Sequence, residues 1–149
     1  CPNTNGYKTA PPACKAPPVD RGTLMLYNTG DFRQLTNQKP ILDPEVVRQY
    51  IGGLRSYSLP LNAAYPLFRV RALFRSGKFV GIIHTKDEYP VLPTDSVAVR
   101  ETTLADLQSV QRLINKHRPD VHNEIILYDI NNRNLTKYSS NDYEKIYNP

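Results

Sequence analysis

The sequence predicts an α+β domain, in which a mainly antiparallel sheet carries two or three helices on one face, preceded by an extended Pro-rich N-terminal segment. Three observations support this class: an alternating strand pair around Ser76-Gly77, two segments with clear helix-start residues, and a proline cluster before the first strand-like run. A chain of 149 residues suffices for one domain with a hydrophobic core. We therefore divide it into a tether, residues 1–22, and a domain, residues 23–149.

The tether has neither a helical nor a strand period. Five of the thirteen prolines fall within its first eighteen residues: Pro2, Pro11, Pro12, Pro17 and Pro18. This composition favours an extended, polyproline-like segment. Both cysteines, Cys1 and Cys14, also lie here, so a disulfide between them would close a short loop outside the core.

The first strand is predicted at residues 23–27, where an apolar run precedes turn residues at 28–31. Residues 32–36 are expected to return as the second strand of a hairpin. A helix follows, because Asp43 is a good N-cap and Pro44 suits the first helical position. Gly52-Gly53 is expected to end this helix.

The clearest element is a central hairpin, in which residues 68–75 and 78–84 flank a two-residue turn. We expect Arg75 to face Lys78 across the turn. One face is uniformly apolar and predicts core: Phe74 with Phe79, Ala72 with Gly81, and Val70 with Ile83. The other face, here called the basic face, carries Arg69, Arg71, Arg75, Lys78 and His84 among Leu73, Val80 and Ile82.

The C-terminal half of the sequence predicts five more elements in order. Residues 96–100 form a strand, and Thr103 caps a helix with an apolar stripe that Pro119 ends. Residues 124–130 form a further strand, with 135–138 as its returning partner. A short helix at 141–147 closes the domain, and its region holds three tyrosines that suit protein contacts: Tyr138, Tyr143 and Tyr147.

The charge distribution points to the basic face as a contact surface. The net charge is +5, and no acidic residue lies between Glu45 and Asp87. Arginines two apart on a strand project the same way and grip carboxylates or phosphates. The predicted partner or anion contact is therefore Arg69, Arg71, Arg75, Lys78 and His84. The same residues also fit an ordinary solvated face, in which arginine stems cover the aliphatic side chains.

Several function classes find no support in the residue pattern. Nucleic acid is not an expected partner, because the hairpin aromatics are predicted on the face opposite the arginines. The sequence contains no nucleophile elbow, and its histidines and cysteines lack metal-ligand spacing. We predict no catalytic residue, no metal and no cofactor. A small hydrolase or transferase with a site hidden from sequence is kept as an alternative.

The start of the chain resembles that of a processed bacterial lipoprotein, in which signal-peptide removal leaves a lipid-bearing Cys followed by a flexible tether. The resemblance implies Cys1 as the lipid attachment site and a membrane anchor at the N-terminus. Pro2 stands where inner-membrane lipoproteins of enteric bacteria carry Asp, and no acidic run follows Cys1. The first feature favours the outer membrane, and the second favours a periplasm-facing domain.

These observations predict a non-enzymatic, lipid-anchored envelope protein, an accessory or structural subunit of a larger membrane-associated assembly. Its expected partners are the membrane and other envelope proteins. The alternative is a secreted binding or toxin-like domain with a Cys1–Cys14 disulfide, since a lipid on the Cys1 sulfur excludes that bond.

Overall fold

The computed structural model of the protein describes residues 17–83 and 90–149. In these residues six strands form two three-stranded sheets, one parallel and one antiparallel. The strands are β1 (Gly22–Met25), β2 (Leu61–Pro66), β3 (Arg69–Arg75), β4 (Lys78–Ile82), β5 (Asp95–Glu101) and β6 (Ile125–Tyr128). The helices are α1 (Pro44–Tyr50), α2 (Leu104–His117), α3 (Asn132–Leu135) and α4 (Ser140–Tyr147), with 3-10 helices at Ile51–Ser56 and Pro119–Asn123. The α+β class is confirmed, whereas a mainly antiparallel sheet describes only one of the two sheets.

The parallel sheet has the order β1-β2-β6 and is the main departure from the prediction. Residues 32–36 contain turns rather than a returning strand, and β1 pairs instead with β2. The sequence did not reveal β2, because Pro60 precedes it and Pro66 is its last residue, and prolines are unusual within strands. A parallel pair also needs a long crossover, here supplied by α1 and the following 3-10 helix.

The predicted return strand at residues 135–138 is also wrong. The Asn131 side chain accepts hydrogen bonds from the backbone N–H groups of Arg133 and Asn134, and so caps the short helix α3. Asparagine competes well for such local bonds at a helix start. The chain after β6 therefore turns into α3 and then α4, and β6 has β2 as its strand partner in the described residues.

The central hairpin forms as β3 and β4, with a change of register. Arg75 pairs with Lys78 and Phe74 with Phe79 as predicted, but Leu73 pairs with Gly81 instead of Val80. This irregularity is a β-bulge, and it displaces Val80 from the predicted pairing. Ser76 and Gly77 both have positive φ, 49° and 75°, as the tightest hairpin turns require.

The second antiparallel partner of β3 is β5, which sets the basic face beside a strand with acidic ends. Arg69 pairs in register with Glu101, and Arg75 with Asp95. Leu73, predicted on the basic face, is fully buried, whereas Val80 is exposed. The basic face is therefore interrupted by core contacts near its centre.

The core lies between the parallel sheet and helices α1, α2 and α4. It contains Leu26 just after β1, alternate residues of β2 and β6, and the apolar stripe of α2: Ala63, Tyr65, Leu127, Leu107, Val110 and Ile114. Thr103 caps α2 by accepting from the backbone N–H of Asp106, as the sequence predicts. Among the described helices, none has both the length and the apolar character to cross a membrane.

Candidate protein interface on the parallel sheet

The basic face is largely neutralised by its neighbour β5. The Arg69 guanidinium lies 2.8 Å from a Glu101 carboxylate oxygen. Arg75 makes a two-point contact with Asp95, through Nε and Nη2, each at 2.9 Å. These carboxylates occupy the donor pairs that an external anion would use, so Arg69 and Arg75 serve first to join β3 to β5.

Two cations of the basic face stand apart from this pairing. Arg71 lies between the two ion pairs and opposite Val99, and it makes no ion pair with any residue that the structure describes. Lys78 is exposed at the turn and likewise makes no ion pair within those ranges. His84, predicted on the same face, and Cys1, the predicted lipid attachment site, both lie outside the described residues.

The C-terminal tyrosines split between structural and exposed roles. The Tyr138 hydroxyl donates to the Thr102 carbonyl at 2.7 Å, and the Tyr143 hydroxyl donates to the Leu135 carbonyl at 3.2 Å. Both rings pack against the core, with an edge-to-face contact between them. Tyr147 is the exposed member of the group. The group thus mainly fixes α3 and α4 to the domain.

The surface that sequence reasoning missed is the side of the parallel sheet turned away from the helices, here called the open face. Strand alternation places seven residues on it: Thr23, Met25, Asn62, Ala64, Pro66, Ile126 and Tyr128. Tyr27, two residues after β1, joins them by stacking on Tyr128. Met25, Ile126 and Tyr128 are 63%, 41% and 53% exposed. Parallel sheets are normally covered on both faces, so this exposure is unusual.

The middle of the open face is an apolar row. Met25, Ala64 and Ile126 lie side by side in register across the three strands. The small central Ala64 is buried between two long side chains that project into solvent. This row offers an apolar contact surface to a partner, since exposed apolar patches of this kind mark interaction surfaces.

An aromatic cluster closes one end of the row. Tyr27 and Tyr128 stack with centroids 5.5 Å apart and planes 14° apart, and Phe68 meets both edge-on. Pro66, the neighbour of Tyr128 in register, is buried. The rings hold one another in place, and rigid tyrosines bind partners at low entropic cost.

The opposite end of the open face is charged with both signs. Arg21 forms an ion pair with Glu124, whose other carboxylate oxygen accepts from Asn62 Nδ2 at 2.8 Å. The Arg21 and Glu124 side chains are 52% and 55% exposed. Arg21 holds the pKa of Glu124 below its ordinary value, so the pair is fully charged at neutral pH.

The cavities among the described residues bring together few ionisable side chains that are not already in ion pairs. A cavity of about 160 Å³ lies beside this charged end, and its ionisable members Arg21, Asp120 and Glu124 already form ion pairs. Residues 17–83 and 90–149 contain no cluster of three or more His, Cys, Asp or Glu side chains arranged to hold a metal ion. The open face is accordingly the strongest candidate functional surface.

A signal for this surface was present in the sequence. The runs 24–27 and 125–128 are apolar at every position, which is typical of strands with two apolar faces rather than one. Which face the helices leave uncovered depends on the fold. No protein-family model, curated protein or solved structure compared with the chain matches it.

Proposed function

We propose that this protein is a non-enzymatic binding subunit of a larger assembly and that the open face is its docking surface. The observation that carries the proposal is the exposed row of Met25 and Ile126 on either side of Ala64, on a type of sheet that is normally covered. The aromatic cluster beside it supplies the kind of rigid side chains that dominate interface energetics.

The location of that assembly is a separate proposal, which the sequence supports. We propose attachment to the bacterial outer membrane, facing the periplasm, through lipid on Cys1. The supports are the lipoprotein resemblance and the Pro-rich stretch before β1. Mass spectrometry of the N-terminal peptide from natively expressed protein tests it. Acyl mass on Cys1 supports the anchor, whereas a Cys1–Cys14 disulfide supports the secreted alternative.

The docking surface is tested by the size of the native complex. The protein is extracted in mild detergent from its native cells and fractionated by size, as wild type and as the variant Met25→Glu/Ile126→Glu. We expect the wild type in a complex well above the monomer mass and the variant shifted to smaller size, because charges in an apolar interface are costly.

The matched control is Val80→Glu/Val99→Glu, which places two charges at exposed aliphatic positions of the other sheet. It is expected to remain in the large complex. Both double variants are checked by urea unfolding, since only folded protein is informative. A folded Met25→Glu/Ile126→Glu variant that keeps the full complex size would refute docking through the open face.

A further inference from the structure

The open face carries a pattern that is complementary to itself. Consider a two-fold axis that runs parallel to β2 above the sheet. Rotation about it exchanges the positions of β1 and β6 and leaves β2 facing its own copy. We propose that a second copy of this chain covers the open face, with β1 of one protomer over β6 of the other. This inference rests on the proposed docking function and names the partner.

The apolar row fits this arrangement position by position. Met25 and Ile126 flank Ala64 in a single register row, so the rotation places Met25 of one protomer over Ile126 of the other. Each contact then occurs twice, as an isologous interface requires. The small side chain of Ala64 at the centre leaves room for the flanking side chains to interdigitate, as they do between packed sheets.

The charged end of the face favours a second copy of this chain, rather than a different protein, as the partner. Arg21 lies on the β1 side and Glu124 on the β6 side, and both are about half exposed. The same rotation brings Arg21 of one protomer toward Glu124 of the other, and Glu124 toward Arg21. A face bearing one sign of charge would favour an oppositely charged partner, whereas this face bears both signs in swapped positions.

The aromatic end is compatible with the same rotation. Tyr27, two residues after β1, and Tyr128 on β6 exchange places, so the stacked pair of one protomer faces the stacked pair of the other. Tyr128 is 53% exposed and gains most from the contact. The three rows of the face, charged, apolar and aromatic, therefore all match under one operation.

Sedimentation velocity on the purified full chain tests the proposal, from micromolar to millimolar protein. We expect a reversible monomer–dimer equilibrium, weakened about tenfold or more by Met25→Glu/Ile126→Glu and unchanged by Val80→Glu/Val99→Glu. A chain that stays monomeric throughout, or a dimer indifferent to the first variant, would overturn it.

Charge exchange tests the orientation of the two copies. Arg21→Glu alone is expected to weaken the dimer, because it places the introduced carboxylate of each protomer opposite Glu124 of the other, and both like-charge contacts lie at the charged end of the face. Adding Glu124→Arg restores both the intramolecular pair and the contacts between protomers, and the dimer is expected to recover. A double variant as weak as the single one would contradict the proposed two-fold arrangement.

Cysteine cross-linking tests the same contact directly, in a background with Cys1 and Cys14 changed to Ser. Mixed Met25→Cys and Ile126→Cys proteins are expected to form a disulfide-linked heterodimer faster than either protein alone forms a homodimer. Faster homodimer formation would overturn the arrangement. The purified chain could be monomeric while its native complex still depends on Met25 and Ile126. That result would refute a second copy as the partner and would still support docking through the open face.

Discussion

The hydroxyl of Tyr65 lies 2.7 Å from Nε2 of His122, and the two rings stack at 6.0 Å. On the other side of the imidazole, Nδ1 lies 2.5 Å from the Asn115 side-chain carbonyl oxygen. Because that oxygen only accepts, Nδ1 carries the proton, Nε2 is the acceptor, and the Tyr65 hydroxyl donates. These hydrogen bonds link β2, the 3-10 helix before β6, and α2, and in this arrangement His122 is neutral.

This arrangement predicts a stability change in mildly acidic solution. Burial lowers the pKa of His122 below its ordinary value, so the folded state resists protonation. The stability is full above the unfolded pKa of about 6.5 and falls as the pH drops from there toward the lowered folded value. Urea unfolding across this range is expected to show the loss.

His122→Gln is the variant that separates this effect from general acid denaturation. It is expected to reduce stability at neutral pH by about 1 kcal/mol and to flatten the pH dependence between about 7 and 5. His117→Gln, which changes a histidine at the end of α2, serves as control. Equal slopes for the wild type and His122→Gln would show that His122 does not drive the loss.

Lys137 is expected to make the stability of the fold depend on pH in alkaline solution. Its amine is largely buried, lies 5.1 Å from the Tyr138 ring centroid, and has no hydrogen-bond partner within the described ranges. Burial lowers the pKa of Lys137 to about 8. The unfolded chain therefore binds more protons between about pH 8 and 10.5, and stability from this group rises with pH across that window.

Lys137→Met is expected to keep the packing and remove the buried charge. The variant is predicted to be at least as stable as the wild type at pH 7 and to lack the wild type's relative gain toward pH 10. The control is Lys116→Met on the exposed side of α2. A large loss at pH 7 from Lys137→Met alone would mean that the amine stabilises the fold.

Asp95 is expected to titrate at unusually low pH. Its carboxylate accepts from two Arg75 nitrogens and from the backbone N–H of Leu92, which lowers the pKa of Asp95. Carbon-detected NMR titration will place this pKa below the ordinary aspartate value. Arg75→Gln will move it upward, whereas Lys78→Gln at the adjacent turn will leave it nearly unchanged. An unaltered Asp95 pKa in Arg75→Gln would mean that the pair does not form in solution.

The basic face keeps a testable role through Arg71 and Lys78. Arg71→Gln/Lys78→Gln is expected to weaken binding of an anionic polymer such as heparin, measured by elution salt, because neither side chain has an ion-pair partner in the part of the chain that the structure describes. Arg69→Gln is the comparison, since Glu101 already neutralises it. Equal effects from the two variants would show that Arg71 and Lys78 have no special role in anion binding and that the basic face is an ordinary solvated surface.

Local signals predicted the helices well and the strand pairing poorly. Asp43 and Thr103 cap α1 and α2 as expected, because capping depends on a few adjacent residues. The turn at Ser76-Gly77 fixed the start of the central hairpin for the same reason. The sequence did not predict the bulge beyond Leu73, since a one-residue shift in strand register depends on packing against the rest of the core.

The sequence by itself determined the positions of α1, α2, α4 and the central hairpin, together with the apolar character of the runs at 24–27 and 125–128. Tertiary structure decided that those two runs flank β2 in one parallel sheet and that β5 carboxylates neutralise Arg69 and Arg75. It also decided that the helices of residues 17–83 and 90–149 cover only one side of that sheet. The physical reason is the distance along the sequence between the residues that interact. Caps and tight turns depend on neighbours within a few residues, whereas parallel pairing and the burial of a face depend on contacts between distant segments.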